Sequence, residues 1–76
     1  NHKNKLYGWA NKNGKALEFE TLDDRLEGGR RLFTVGAVVD GELIAQGKAY
    51  NKKDASQIAA QLALDKLGLN RDAEEG

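Results

Sequence analysis

The sequence predicts an α+β domain of order α-β-β-β-α, a three-stranded antiparallel sheet with both helices packed on one face. An apolar stripe at helical spacing (Leu6, Trp9, Ala10) stops at Asn13-Gly14. Two β-rich runs flank Asp40-Gly41, the strongest short hairpin signal available. An Ala- and Leu-rich stretch then follows a good capping residue, Asn51.

The first helix is expected over about residues 4–13, with Gly14 supplying the left-handed stop. Residues 17–22 alternate apolar and charged side chains, as a half-buried strand does. Glu27-Gly28-Gly29-Arg30 reads as a flexible loop. The second strand, residues 32–39, places Phe33, Val35, Ala37 and Val39 on one face. A two-residue type I′ turn at Asp40-Gly41 would pair Val39 with Glu42 and Ala37 with Ile44. The third strand runs from Glu42 to about Tyr50. In the last helix, Ala55, Ile58, Ala59, Leu62, Ala63 and Leu67 form the expected apolar face, with Gln57, Gln61 and Asp65 opposite. Its small residues would let it lie close to the sheet.

The chain has 76 residues, enough for one domain, assigned to residues 1–70 with a disordered tail expected at 71–76. It begins without Met, so a fragment of something longer is expected. With no Cys there is neither a disulfide framework nor a thiolate metal site, which suits an intracellular compartment, nuclear or cytoplasmic. No apolar run approaches the ~18 residues of a membrane span, and no signal-peptide pattern is present. No cofactor is expected.

The net charge is zero, but charge is segregated along the chain. Residues 1–15 carry Lys3, Lys5, Lys12 and Lys15 and no acid. Residues 16–27 carry Glu18, Glu20, Asp23, Asp24 and Glu27 against Arg25 alone. Arg30-Arg31 and Lys52-Lys53 return as two basic pairs, and the tail is acidic. Such segregation permits a basic face opposite an acidic one.

The pair Lys52-Lys53 falls in the first turn of the last helix, behind Asn51 as cap and with Asp54 at the capping-box position. A helix N-terminus carries roughly half a positive charge, so each lysine there costs a few tenths of a kcal/mol. Orphan N–H groups, the helix dipole and two ammonium groups describe an anion site. Two solvated lysines in a first turn remain an equal local reading.

The order of elements and these residues together resemble the double-stranded RNA-binding domain over about residues 3–68. The resemblance rests on Leu6 to Ala10 followed by Lys12-Asn13-Gly14, on Phe33-Thr34-Val35, and on Val39-Asp40-Gly41 before Ile44 and Gly47. It is completed by Asn51-Lys52-Lys53-Asp54-Ala55 leading into Ala59-Ala60. It implies binding of A-form RNA through two minor grooves and the phosphates between them, over ~16 bp and without base readout. The implied surfaces are the first helix, the loop between the first two strands, and the N-terminus of the last helix.

The resemblance places Lys52 and Lys53 on the major-groove phosphates, with Lys48 adding a contact from the strand end. Ser56 stands where the family usually has a third lysine; a hydroxyl brings no charge and releases no counterion. On the first helix, Tyr7 and Gly8 replace the family's polar residue and Glu. Asn4, Tyr7 and Asn11 can still hydrogen-bond, and Lys3, Lys5 and Lys12 can reach phosphates. Tyr7 reads equally as a cover for apolar surface, and Trp9 is assigned to the core. In the loop the usual Gly-Pro and His are missing, and Gly29 occupies the His position. Arg30 and Arg31 are expected to give weak, shape-only contact.

An enzyme is disfavoured. The one histidine, His2, lacks a second His or Cys as partner. Asp23 and Asp24, adjacent in a strand, would point to opposite faces. Catalysis would belong to another domain of a longer protein. The competing function is a protein-docking or dimerising module, using a helix or the sheet face away from the helices, where Leu32, Val38 and Leu43 would lie. Gly8, Gly29, Ser56 and the zero net charge lean that way; the paired cations lean toward RNA.

Overall fold

The computed structural model describes residues 2–69; the expected tail at 71–76 lies outside them. Helix α1 spans His2–Lys12, strand β1 Leu17–Glu27, β2 Arg30–Val39, β3 Glu42–Ala49, and helix α2 Lys52–Lys66. The strands form one antiparallel sheet in the order β1-β2-β3. The expected α-β-β-β-α order is therefore the observed one.

Helix α1 begins earlier than its apolar stripe suggests because a tertiary partner satisfies its first turn. The Lys3 backbone N–H donates to Gln57 Oε1 of α2 at 3.4 Å, filling one of the donors a helix start leaves orphaned. Its end is a Schellman closure, with Gly14 at φ 65° and Gly14 N and Lys15 N donating to Asn11 O (3.3 Å) and Ala10 O (2.8 Å). Helix α2 ends in the same way at Gly68.

The loop expected at residues 27–30 is instead a two-residue turn. Gly28 and Gly29 take φ of 59° and 83°, and Glu27 pairs directly with Arg30. Two consecutive left-handed residues are what a tight hairpin demands, and glycine adopts them without a steric penalty. Strands β1 and β2 thus run to the turn itself, as an arm of the sheet. Register shifts in both hairpins. Leu22 is an extra residue in β1, between the pairs Thr21–Val35 and Asp23–Thr34. Val39 pairs with Glu42 as expected, but Ala37 pairs with Ala45 rather than Ile44. Ile44 is the additional residue, and the bulge lets it pack, half-buried, against the core.

That core joins Leu6 of α1, Ala37 and Ala45 of the sheet, and Ala59, Ala60, Ala63 and Leu64 of α2. Leu6 and Leu64 are its largest fully buried side chains, each contributing about 1.5–3 kcal/mol by burial. Helix α2 is rotated from its expected orientation. Ser56, Ala60 and Leu64 turn inward with Ala55, Ala59 and Ala63, whereas Ile58 and Leu62 stay exposed. Gln57, expected on the solvent side, is half-buried against α1. The cause lies in β3. A Cβ at Gly47 would stand 2.5 Å from both Ala55 O and Ala59 N, so the α2 backbone rests directly on the strand and its smallest side chains must face down. Val38, expected on the sheet face away from the helices, is buried at 7 %, whereas Leu22 and Leu43 on that face are each 44 % exposed.

Candidate nucleic-acid interface

The start of α2 is a capped helix N-terminus that carries two lysines. Asn51 caps it from extended backbone (φ −149°, ψ 159°), its Oδ1 accepting from Asp54 N at 2.7 Å. The reciprocal contact differs from a standard capping box. Asp54 Oδ2 accepts from the Asn51 side-chain amide at 3.0 Å rather than from its backbone, as suits a side chain one methylene shorter than Glu. Lys52 and Lys53 are exposed in the first turn, where helix geometry leaves backbone donors without intrahelical acceptors.

Ser56 does not share that exposure. It is 8 % exposed, and its Oγ donates to Lys52 O at 2.6 Å. Its donor is used inside the helix, so it steadies the turn carrying Lys52 instead of presenting a free hydroxyl.

The hairpin arm brings a second cation to Lys52. Arg31 Cζ lies 5.8 Å and Lys52 Nζ 5.7 Å from the centroid of the Phe33 ring, so one aromatic ring has a cation near it from each of β2 and α2. Arg31 is also paired. Its Nε and Nη2 donate to Asp24 Oδ1 (3.1 Å) and Oδ2 (2.6 Å). This fork holds the Asp24 carboxyl below its ordinary value of 3.8; the hydrogen bond is the largest cause, and the charges of Arg31 and Lys52 add to it. The same contact raises the Arg31 guanidinium above its usual range. Asp23 instead meets Arg25 at 2.7 Å, so the two adjacent carboxylates do serve opposite faces.

Arg30 and Lys48 open a different flank. The Arg30 guanidinium stacks over Tyr50 at 4.0 Å. With Lys48, Tyr50, Asn51 and Asp54 it lines an open groove of about 480 Å³ beside the helix start.

On α1, Asn4, Lys5, Asn11 and Lys12 are exposed, with Gly8 between them. Tyr7 packs edge-on against Phe19 (5.6 Å, 67°) yet stays 44 % exposed, and Lys3 Nζ lies 5.3 Å from the same ring. Tyr7 therefore covers apolar surface while leaving part of its ring open. Trp9 packs against the core, as assigned.

The structure thus joins Lys52, Lys53 and Arg31 at one end, Arg30 and Lys48 in an adjoining groove, and the α1 residues on a separate surface fastened to α2 by the Lys3–Gln57 bond. Asp24, Phe33 and Tyr50 belong to this constellation and were absent from the expected set. Their signal was Gly28-Gly29 as a two-residue hairpin, which aligns Asp24 with Phe33 and sets Arg31 two residues away on the same face. Among the described residues, no group of three or more His, Cys, Asp or Glu side chains could hold a metal. No described helix is long and apolar enough to cross a membrane.

Residues 2–67 match the family model described as the double-stranded RNA binding motif. The chain is 34% identical over 68 residues to a Ribonuclease 3 of Bacteroides fragilis, covering 88% of this chain and 23% of the relative. It is 40% identical over 55 residues to a Ribonuclease 3 of Spiroplasma citri, covering 70% of this chain and 22% of that protein. It therefore spans less than a quarter of the length of these relatives. With the family model covering nearly all of the described fold, the chain belongs to the double-stranded RNA binding motif family.

Proposed function

We propose that this domain binds A-form RNA by shape and charge, with the start of α2 as its main anchor. The supporting observation is the pair of exposed lysines in a capped first turn, in a chain of this family. Lys52 and Lys53 contact phosphates across the narrow major groove, which side chains cannot read. Arg31, Arg30 and Lys48 supply the flanking cations. Asn4, Lys5, Tyr7 and Asn11 face a minor groove and its 2′-hydroxyls. Ser56 acts indirectly, through the turn that carries Lys52. About three to five phosphate contacts give a salt slope of roughly −2.7 to −4.5 in log affinity against log salt.

Because the matched relatives are named Ribonuclease 3, the domain is read as part of a larger, intracellular RNA-processing protein whose catalysis lies elsewhere. A second reading, docking of a protein or a second copy on the outer sheet face, draws on Leu22 and Leu43, each 44 % exposed.

A titration decides between them. A duplex RNA of ~20 bp, a DNA duplex of the same sequence and a single strand are compared at two salt concentrations. Preference for duplex RNA, steep salt dependence and loss of most affinity in Lys52→Ala/Lys53→Ala are expected. Equal affinity of the double mutant, or no preference for RNA over DNA, would refute the RNA reading. Self-association without RNA affinity would favour docking.

A further inference from the structure

We propose that the Asp24 carboxylate occupies the seat of an RNA phosphate on Arg31, and that duplex binding replaces it. The inference rests on the RNA-binding reading and adds a residue that opposes binding. Guanidinium recognises carboxylate and phosphate with the same planar fork. Arg31 already uses that fork on Asp24, at 3.1 Å and 2.6 Å. The pair lies where phosphate is expected, because Arg31 and Lys52 both approach the Phe33 ring within 6 Å.

It is also free to exchange. The side chains are 63 % and 35 % exposed, and solvent screens such pairs. The negative charge of Asp24 reaches Lys52 as well, so one carboxylate dampens the anion site from both elements that form it. An RNA phosphate entering here takes over the Arg31 fork and leaves Asp24 to water. Asp24 therefore lowers affinity and holds Arg31 in reserve, favouring the dense charge of a duplex over an isolated anion.

The test is a double-mutant cycle on a blunt RNA duplex of ~20 bp, using wild type, Asp24→Asn, Arg31→Gln and the double variant. Asp23→Asn, which removes a carboxylate paired with Arg25, reports the generic effect of lost negative charge in both backgrounds. Asp24→Asn is expected to tighten binding about three- to tenfold at low salt while leaving the salt slope nearly unchanged, because Arg31 meets a phosphate in both complexes. In the Arg31→Gln background the gain should shrink to that of Asp23→Asn.

An equal gain in both backgrounds would overturn the exchange in favour of through-space repulsion alone. Weaker binding by Asp24→Asn would overturn it in favour of Asp24 as a positioning residue for Arg31. These failures are separable from failure of the parent reading. A wild type that does not bind duplex RNA refutes both; a wild type that binds through Lys52 and Lys53 but shows no coupling refutes only the exchange.

Discussion

Ser56 Oγ donates a 2.6 Å hydrogen bond to the carbonyl of Lys52, one turn back in α2. The residue at the family's third-lysine position is thus spent on the backbone beneath the first lysine. Replacing Ser56 with Ala removes a bond contributing about 0.5–1.5 kcal/mol and gains about half a kcal/mol of helix propensity. Stability should change by less than about 1 kcal/mol. RNA affinity should stay within about twofold of wild type, measured by titration. A tenfold loss would mean that the hydroxyl contacts RNA.

Gly47→Ala should be far more damaging. Its Cβ would meet backbone atoms of Ala55 and Ala59 at 2.5 Å, and neither can rotate away. Relief requires lifting α2 from the sheet, at a cost of about 1–3 kcal/mol or more. Because Lys52 and Lys53 ride on that helix, RNA affinity should fall with stability. Urea denaturation and RNA titration of the same sample check both.

Gly36→Ala offers a contrast. Its Cβ would approach Leu43 Cδ1 at 2.6 Å and Leu22 Cδ1 at 2.8 Å, the tips of flexible side chains that are each 44 % exposed. They can swing aside, so the expected destabilisation is below about 1 kcal/mol, with RNA affinity unchanged. A larger loss in urea denaturation would show that the outer-face leucines are pinned.

Gly8→Glu restores the acid that the family often carries on its first helix. Nothing lies within 4 Å of a Cβ there, and a helix former in place of glycine gains about 0.5–1 kcal/mol. Affinity for duplex RNA should rise severalfold while affinity for duplex DNA does not, because the added acceptor meets 2′-hydroxyls. Parallel titrations of the two duplexes read this out; equal changes would remove α1 from the minor groove.

The Asp24–Arg31 pair sets a pH dependence. Asp24 is held below its ordinary value of 3.8, so the folded state favours its charged form. The stabilisation is present above the unfolded value and lost as pH falls through the lower folded value. Wild type should therefore exceed Asp24→Asn in stability at pH 7, and the difference should shrink as pH drops below the ordinary value and vanish below the lower folded value. Denaturant midpoints across an acid series measure it; a constant difference would show that the pair does not stabilise the fold.

Much of the fold was legible because its signals are local. The Gly14 stop, the Asp40-Gly41 turn and the Asn51 cap each depend on neighbours a few residues away, and each appears as expected. The candidate site was legible where charge and capping coincide, at Lys52 and Lys53. It was not legible where a partner comes from another strand. Asp24 meets Arg31 only through a Gly28-Gly29 turn that reads equally well as a loop, and a shifted register decides which side chains share a face.

The sequence by itself determined the order of elements, the stop of the first helix and the cationic start of α2, because propensity, capping and turn chemistry act within a few residues. Tertiary structure decided the rest. The seat of α2 on Gly47 set which of its side chains face solvent, and bulges at Leu22 and Ile44 set the pairing. The hairpin arm delivered Arg31, already held by Asp24, to the ring beside Lys52. Those outcomes depend on long-range packing and register, which no single segment of this chain encodes.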